Sequence, residues 1–276
     1  MSKSCAVFGF GYLGRPLAER LYQSGWNVAA LKKSLTSDDI NLPLDLRAAD
    51  LADEVVFQTA LNGWKNADTW IFLLPPSAVP DYAETVRRWV RAAEQGSVQQ
   101  LIFTSSTSVY GDAARVVDEY SEPDPRTANA HKILAAETAV RNSSVPNRDI
   151  FRLGGLYCAE RHPVYRLSGR SGIENGQHAV NILHRERAVA ALAYAAEQPN
   201  GLRIRNLMET RHPSRAEFYR AEAVQLGLPE PEFADNGGSG KTVGTAYSDF
   251  AAFLHIPESC GETVSFDPFA EWMFGA

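Results

Sequence analysis

Short apolar runs alternate with amphipathic stretches along the first 155 residues. Residues 5–8 (Cys-Ala-Val-Phe) read as a buried strand, and 15–21 as a helix with Pro16 in its first turn, where no intrahelical N–H is lost. Residues 26–31 follow Gly25 as a second strand, and 41–46 read as a short third one. Residues 69–74 form an unbroken apolar run stopped by Pro75-Pro76. In 81–95 the apolar positions Tyr82, Val86, Trp89, Val90 and Ala93 recur at helical spacing. Strand 101–104, a helix within 126–141 that ends before Pro146, and strand 149–153 complete the series. Strands alternating with helices predict an α/β fold, with a mostly parallel sheet covered by helices on both faces. Ligands of such sheets bind at the carboxyl ends of the strands.

The turn after the first strand carries the most specific chemistry. Gly9-Phe10-Gly11-Tyr12-Leu13-Gly14 lies between a strand and a helix, the context that a dinucleotide-binding turn requires. Gly9 permits the tight turn, Gly11 lets a pyrophosphate approach the backbone, and Gly14 lets helix and strand pack closely. Tyr12 and Leu13 complete the turn as cofactor contacts, and the helix N-terminus offers N–H groups to the phosphates. The fold expected is therefore a Rossmann-type doubly wound sheet, with residues 1–155 as the dinucleotide-binding core. Residues 156–276, richer in Arg, Gly, His and Pro, are expected to form mainly a smaller C-terminal substrate lobe, its boundary open to interleaving. At the end of the second strand, where Asp or Glu selects NAD by binding the ribose hydroxyl, stand Lys32-Lys33-Ser34. Two ammonium groups favour a 2′-phosphate, so NADP(H) is the preferred coenzyme and NAD(H) the other candidate. Asp45, expected after the third strand, is a candidate acceptor for the adenine amino group. Leu74, Pro75 and Thr104, at the ends of two central strands, are further candidate cofactor contacts.

Charge and cysteine usage narrow the partners. The net charge of −6 disfavours nucleic acid, whose phosphates would be repelled. Cys5, Cys158 and Cys260 are odd in number and widely spaced, which argues against a disulfide framework and for a reducing cytoplasm. No uninterrupted apolar stretch is long enough to span a bilayer, so no membrane partner is expected. The six histidines lack compact metal-ligand spacing, and no metal is expected. Gly237-Gly238-Ser239-Gly240-Lys241-Thr242 looks superficially like a phosphate-binding P-loop, but Asp235 stands where its first glycine belongs. It reads as a flexible loop or lid.

Residues 103–111, Phe-Thr-Ser-Ser-Thr-Ser-Val-Tyr-Gly, leave a strand and place hydroxyls at the carboxyl edge of the sheet. The glycine turn, this stretch, Arg152-Leu153-Gly154-Gly155-Leu156-Tyr157 and Asn181-Ile182-Leu183-His184 together resemble the extended short-chain dehydrogenase/reductase superfamily of NAD-dependent epimerase/dehydratase type. The resemblance covers most of the chain and lies closest to an atypical YeeZ-like bacterial branch. It implies that Ser106 is the catalytic serine and Lys132 the lysine of the family's Tyr-x-x-x-Lys pair. The tyrosine itself is absent: Ala128 stands four residues before Lys132. In that pair the lysine lowers the phenol's pKa and holds the nicotinamide ribose, while the phenol exchanges a proton with substrate. A methyl group cannot do this. His131, three residues on and on roughly the same helix side, is a candidate substitute, and Tyr110 is a second.

Other polar groups have weaker grounds. Arg152 reads as a structural ion-pair partner. Tyr157, Arg161, His162 and Glu119 are candidate substrate contacts. Arg185, Glu186 and Arg187 occupy the place where the family shows an acid. The family further implies a homodimer built from the helices in 81–95 and 126–141, with Trp89, Val90, Ile133 and Leu134 as contacts that could equally face the sheet. Two function classes follow. One is an NAD(P)-binding oxidoreductase, epimerase or dehydratase acting on a small hydroxyl or carbonyl substrate, nucleotide-sugar-like by resemblance. The other is a dinucleotide-binding regulator or sensor without hydride chemistry.

Overall fold

The computed structural model describes residues 3–254; Cys260 and the rest of the expected lobe beyond Leu254 lie outside them. In chain order the elements are β1 (Ser4–Phe8), α1 (Gly14–Gln23), β2 (Asn27–Lys32), α2 (Ser37–Ile40), β3 (Asp45–Ala48), α3 (Glu54–Ala60), β4 (Thr69–Phe72), α4 (Tyr82–Glu94) and β5 (Gln100–Ser106). There follow β6 (Val116–Val117), α5 (Ala128–Arg141), β7 (Asn147–Leu153), β8 (Gly155–Tyr157), β9 (Ile182–His184), α6 (Arg185–Glu197), β10 (Leu202–Leu207), α7 (Arg215–Gln225), β11 (Thr242–Val243) and α8 (Ala251–Leu254). Seven strands form one sheet in the order β10-β7-β5-β4-β1-β2-β3. β1 pairs in parallel with β2 and β4, β2 with β3, and β4 with β5. The described residues divide into two compact units: 3–109, 125–152 and 189–205 in the first, and 110–124, 153–188 and 206–254 in the second.

Local chemistry starts most helices of the first unit. Asp53 accepts the N–H groups of Val55 and Val56, Asp81 that of Glu84, and Thr127 that of Ala130; each satisfies donors that the first helical turn leaves open. The core beneath the sheet is aromatic. Phe8 lies 5.0 Å from Trp70 and 5.9 Å from Trp89, and Phe72 lies 5.3 Å from Trp89, ring centre to ring centre. Trp89 therefore packs on the sheet, and Val90 and Ile133 are buried within the chain. α4 packs along α5.

The third strand corrects an expectation. It begins at Asp45 rather than Asn41, because Thr36 and Asp39 turn the preceding segment into α2. The alternating Leu42, Leu44 and Leu46 suggested strand earlier than the backbone provides it. α6 and β10 were not foreseen. Residues 188–193 of α6 are buried all round, so the helix lacks the two-sided pattern that marks an amphipathic one.

In the second unit β6 pairs with β11 and β8 with β9, and α7 starts from a Ser214/Glu217 capping box. Among the described residues no helix is long and apolar enough to cross a membrane. Phe72 is fully buried among Tyr82, Trp89 and Phe103. Phe72→Ala should cost about 3–5 kcal/mol in urea unfolding, whereas Val55→Ala, at a position 75% exposed, should change stability by no more than about 0.5 kcal/mol.

Candidate functional site

The turn after β1 is shaped by close approach. Gly9 has φ +110°, a left-handed conformation, and a Cβ there would meet Leu74 at 3.2 Å. A Cβ on Gly14 would stand 2.0 Å from the Gly9 carbonyl oxygen, so α1 can start this close to the strand only without a side chain. Above Gly11 a Cβ would meet nothing within 4 Å. The turn thus leaves open ground at the start of α1, where the Arg15 N–H bonds the Gly11 carbonyl, the Leu17 N–H bonds the Leu13 carbonyl and Pro16 carries no N–H. Tyr12 is half-buried and Leu13 buried at the same turn.

At the end of β2 both lysines are engaged. Lys32 Nζ lies 2.6 Å from Asp39 Oδ2 and Lys33 Nζ 2.8 Å from Asp50 Oδ2. The Asp39 side chain is 1% exposed. Its Oδ2 also accepts the N–H and hydroxyl of Thr36, and the hydrogen bonds from Lys32 and Thr36 hold its pKa down at about 2. Its Oδ1 makes no hydrogen bond and faces Arg15 Nη1 at 3.8 Å. Asp45 is displaced from its expected place. In register with Ala29 and Ala6, it sits three residues before the carboxyl end of β3, and its carboxylate accepts from Arg47 and from the Trp64 indole. It lines a cavity of about 360 Å³ with Trp26, Asn27 and Trp64, at the amino ends of the strands. The acid that does follow β3 is Asp50. Sequence reading missed it because the strand was placed too early; it missed Asp39 because the Thr36-x-x-Asp39 spacing was not read as a helix start.

The ends of β4 and β5 carry the next group. Leu74 is half-buried and Pro75 exposed. The Thr104 hydroxyl donates to the Phe72 carbonyl at 3.1 Å, joining the two strands. Ser106 closes β5, and its hydroxyl accepts the Ser108 N–H at 3.1 Å. α5 packs on β5 and on the turn at 76–78. It begins at Ala128, with His131 exposed and Lys132 half-buried in its first turns. Beneath them Glu137 accepts from Ser105 and from Arg152, all three buried; Arg152 is structural, as expected. Gly9, Gly11, Gly14, Lys32, Lys33, Leu74, Pro75, Thr104 and Ser106 thus follow or close the carboxyl ends of four adjacent strands.

The second unit answers other expectations differently. Tyr110 is fully buried and donates its hydroxyl to Asn206 at 3.0 Å, so it is a packed tyrosine and not an exposed acid. Glu119, half-buried, accepts from the Asn206 and Ala246 N–H groups and from the Thr245 hydroxyl, an internal tie. Asn181 bonds both Lys241 O and Val243 N–H, and Lys241 reaches the Gly111 carbonyl, so the end of this segment, residues 241–243, is anchored. Tyr157 donates to Glu209 at 2.8 Å and stands edge-on to His162 and His184 at 5.3 and 5.2 Å. His162 is 5% exposed. Its Nδ1 accepts the Val164 N–H, which leaves the ring proton on Nε2, 3.4 Å from Glu222. Burial, with the neighbouring His184, pushes its pKa down to about 4, and burial pushes the Glu209 and Glu222 carboxyls up.

Comparison with known proteins fits this layout. Residues 6–151 match the NAD dependent epimerase/dehydratase family. The chain is 34% identical to Protein YeeZ of Escherichia coli K12 over 248 residues, 87% of this chain and 89% of that one. Its fold is similar to that of MoeE5 in complex with UDP-glucose and NAD (TM-score 0.74, 21% identity, 91% and 92% of the two chains). It is also similar to UDP-glucuronic acid 4-epimerase from Bacillus cereus in complex with NAD (TM-score 0.73, 17% identity, 91% and 90%).

The His162 environment has a pH consequence. A histidine pKa lowered from 6.5 to about 4 on folding means that the unfolded chain binds the extra proton between those values, so stability falls as pH drops through that window. The raised Glu209 and Glu222 carboxyls act in the opposite sense, their stabilisation being lost as pH rises. Comparing wild type with His162→Phe isolates the histidine. Between pH 7 and 5 the wild type should lose about 2 kcal/mol more stability in urea unfolding than the variant.

Proposed function

The chain belongs to the NAD dependent epimerase/dehydratase family, and from that premise we propose that it binds a nicotinamide dinucleotide across the strand ends of its first unit. We read it as an oxidoreductase, epimerase or dehydratase of this type, acting on a hydroxyl or carbonyl substrate that is nucleotide-sugar-like. The observation that carries the reading is the turn at Gly9–Gly14: two positions forbid a side chain, and the third opens onto free space. That cradle fits a diphosphate held by main-chain amides. Bound there, the nicotinamide supplies hydride exchange. Lys132 would hold its ribose, Ser106 would orient the substrate oxygen, and His131 or a water would carry the proton that the absent phenol carries elsewhere in the family.

Coenzyme choice turns on Asp39. Lys32 and Lys33 are the ground for preferring NADP(H), but each already faces a carboxylate. That engagement favours the second reading, NAD(H), because the buried Asp39 carboxylate holds Lys32 and faces Arg15, the cations that a 2′-phosphate would need. Asp39→Asn frees Lys32 and Arg15 from a competing charge. It should shift the NADPH-to-NADH affinity ratio about tenfold toward NADPH, equivalent to ~1.4 kcal/mol.

The wider reading is tested by calorimetry on Gly11→Val. The variant should stay folded, since a Cβ at this position meets nothing within 4 Å, and should lose at least tenfold in affinity for both coenzymes; undiminished binding would overturn the proposal. A regulator without hydride chemistry is the alternative favoured by Ala128. Coenzyme binding with no absorbance change at 340 nm across carbonyl and sugar-nucleotide substrates would select it, whereas turnover that survives in His131→Ala would retain the enzyme and assign the proton to water.

A further inference from the structure

Glu137 lies in the middle of α5 and is 1% exposed. Its Oε1 accepts the Ser105 hydroxyl at 2.5 Å and Arg152 Nε at 2.9 Å, and its Oε2 accepts Arg152 Nη2 at 2.7 Å. Arg152, next to last in β7, is 2% exposed. Tyr82 of α4 is buried, its phenol pushed up by burial and by the Glu137 charge. One carboxylate therefore ties the end of β5, the middle of α5 and the end of β7. Stability alone does not call for this arrangement. Well-packed apolar residues in place of a buried ion pair are often neutral or stabilising, because desolvation offsets the attraction. What the pair adds is directionality: a bidentate guanidinium and a hydroxyl fix both oxygens of one side chain.

The groups so fixed adjoin the candidate site. Ser105 precedes Ser106, and alternation along the strand turns their side chains to opposite faces. Anchoring Ser105 inward therefore sets Ser106 outward, where its hydroxyl also holds the Ser108 N–H. On α5, Lys132 lies five residues before Glu137, about 140° round the helix and roughly 7.5 Å toward its start. A Glu137 held from two sides fixes the rotation of α5 and with it the direction of Lys132.

We propose that Glu137 is a positioning residue that, through Ser105 and Arg152, aligns Ser106 and Lys132 for the nicotinamide half of the coenzyme. This rests on the dinucleotide reading above. The test is titration of wild type, Glu137→Gln and the double variant Glu137→Leu/Arg152→Leu with NADH, NADPH and ADP, alongside thermal unfolding. ADP carries the diphosphate that the glycine turn would hold and lacks the nicotinamide ribose. ADP affinity should stay within twofold of wild type in both variants. The tighter-binding reduced coenzyme should lose at least tenfold, although the double variant melts at or above the wild-type temperature. A double variant that folds and binds that coenzyme as wild type does, or that loses ADP and coenzyme in equal measure, overturns the proposal. Should the double variant fail to fold, Ser105→Ala, which leaves the ion pair in place, must lower coenzyme but not ADP affinity by about threefold, and an unchanged coenzyme affinity overturns the proposal. Wild type that binds none of the three ligands refutes the dinucleotide reading itself.

Discussion

The distance from Gly14 to the Gly9 carbonyl is the constraint on which the candidate site depends. A methyl group at Gly14 would stand 2.0 Å from that oxygen, less than any packed carbon tolerates. Only a glycine there lets α1 begin directly against the end of β1. That contact aims the helix start at the carboxyl edge of the sheet, where Leu74 and Thr104 also arrive. Leu73 N–H bonds the Phe8 carbonyl, and the Gly9 and Phe10 N–H groups share the Leu31 carbonyl. The turn is thereby tied to the strands on either side of β1. A bulkier residue would push α1 away and unmake the cradle without touching its amides.

A second constraint is charge compensation along the same edge. Lys32, Lys33 and Arg152 each meet a carboxylate, and the partners are Asp39, Asp50 and Glu137. The three pairs are not equivalent. Lys33 is 75% exposed, and its pair is a screened surface contact of small energetic weight. Asp39 and Glu137 are buried, and a buried carboxylate that lost its partner would be costly. A ligand that recruits Lys33 displaces little, whereas one that recruits Lys32 must compete with Asp39. The edge is thus graded from labile to committed, and the committed pairs shape what can bind.

The parts of this layout that were legible in the chain are those with local signals. The glycine turn, the helix start at Asp81, and the apolar runs that became β1, β2, β4, β5 and β7 can be read from neighbours a few residues apart. The pairings could not. Nothing near Lys32 marks Asp39 as its partner except the Thr36 spacing, and Glu119 meets residues 206, 245 and 246, more than 80 positions away. The error at Asp45 arose at an edge strand, where polar residues blur periodicity and a shift of a few residues moves a side chain to the opposite end of the sheet. α6 was illegible for the reverse reason, since a helix buried all round shows no polar face.

The missing tyrosine gains meaning beside the network that stays. Ala128 opens α5 at an exposed position, so its small side chain removes a reactive group without disturbing packing. Deeper in the same helix, Glu137 is held by three donors from two other elements. Were the helix serving only as a wall of the fold, an apolar residue at 137 facing another at 152 would meet the need without desolvating two charges. An oriented helix whose first turn lacks the phenol still presents Lys132 and the turn at Ser106 in a defined relation to the sheet. Coenzyme binding needs that orientation, while proton transfer needs the phenol. In the proposed reading the chain separates two requirements that its family ordinarily meets on one helix face: Lys132 and Ser106 would still hold the dinucleotide and orient the substrate, and the proton would pass to another group.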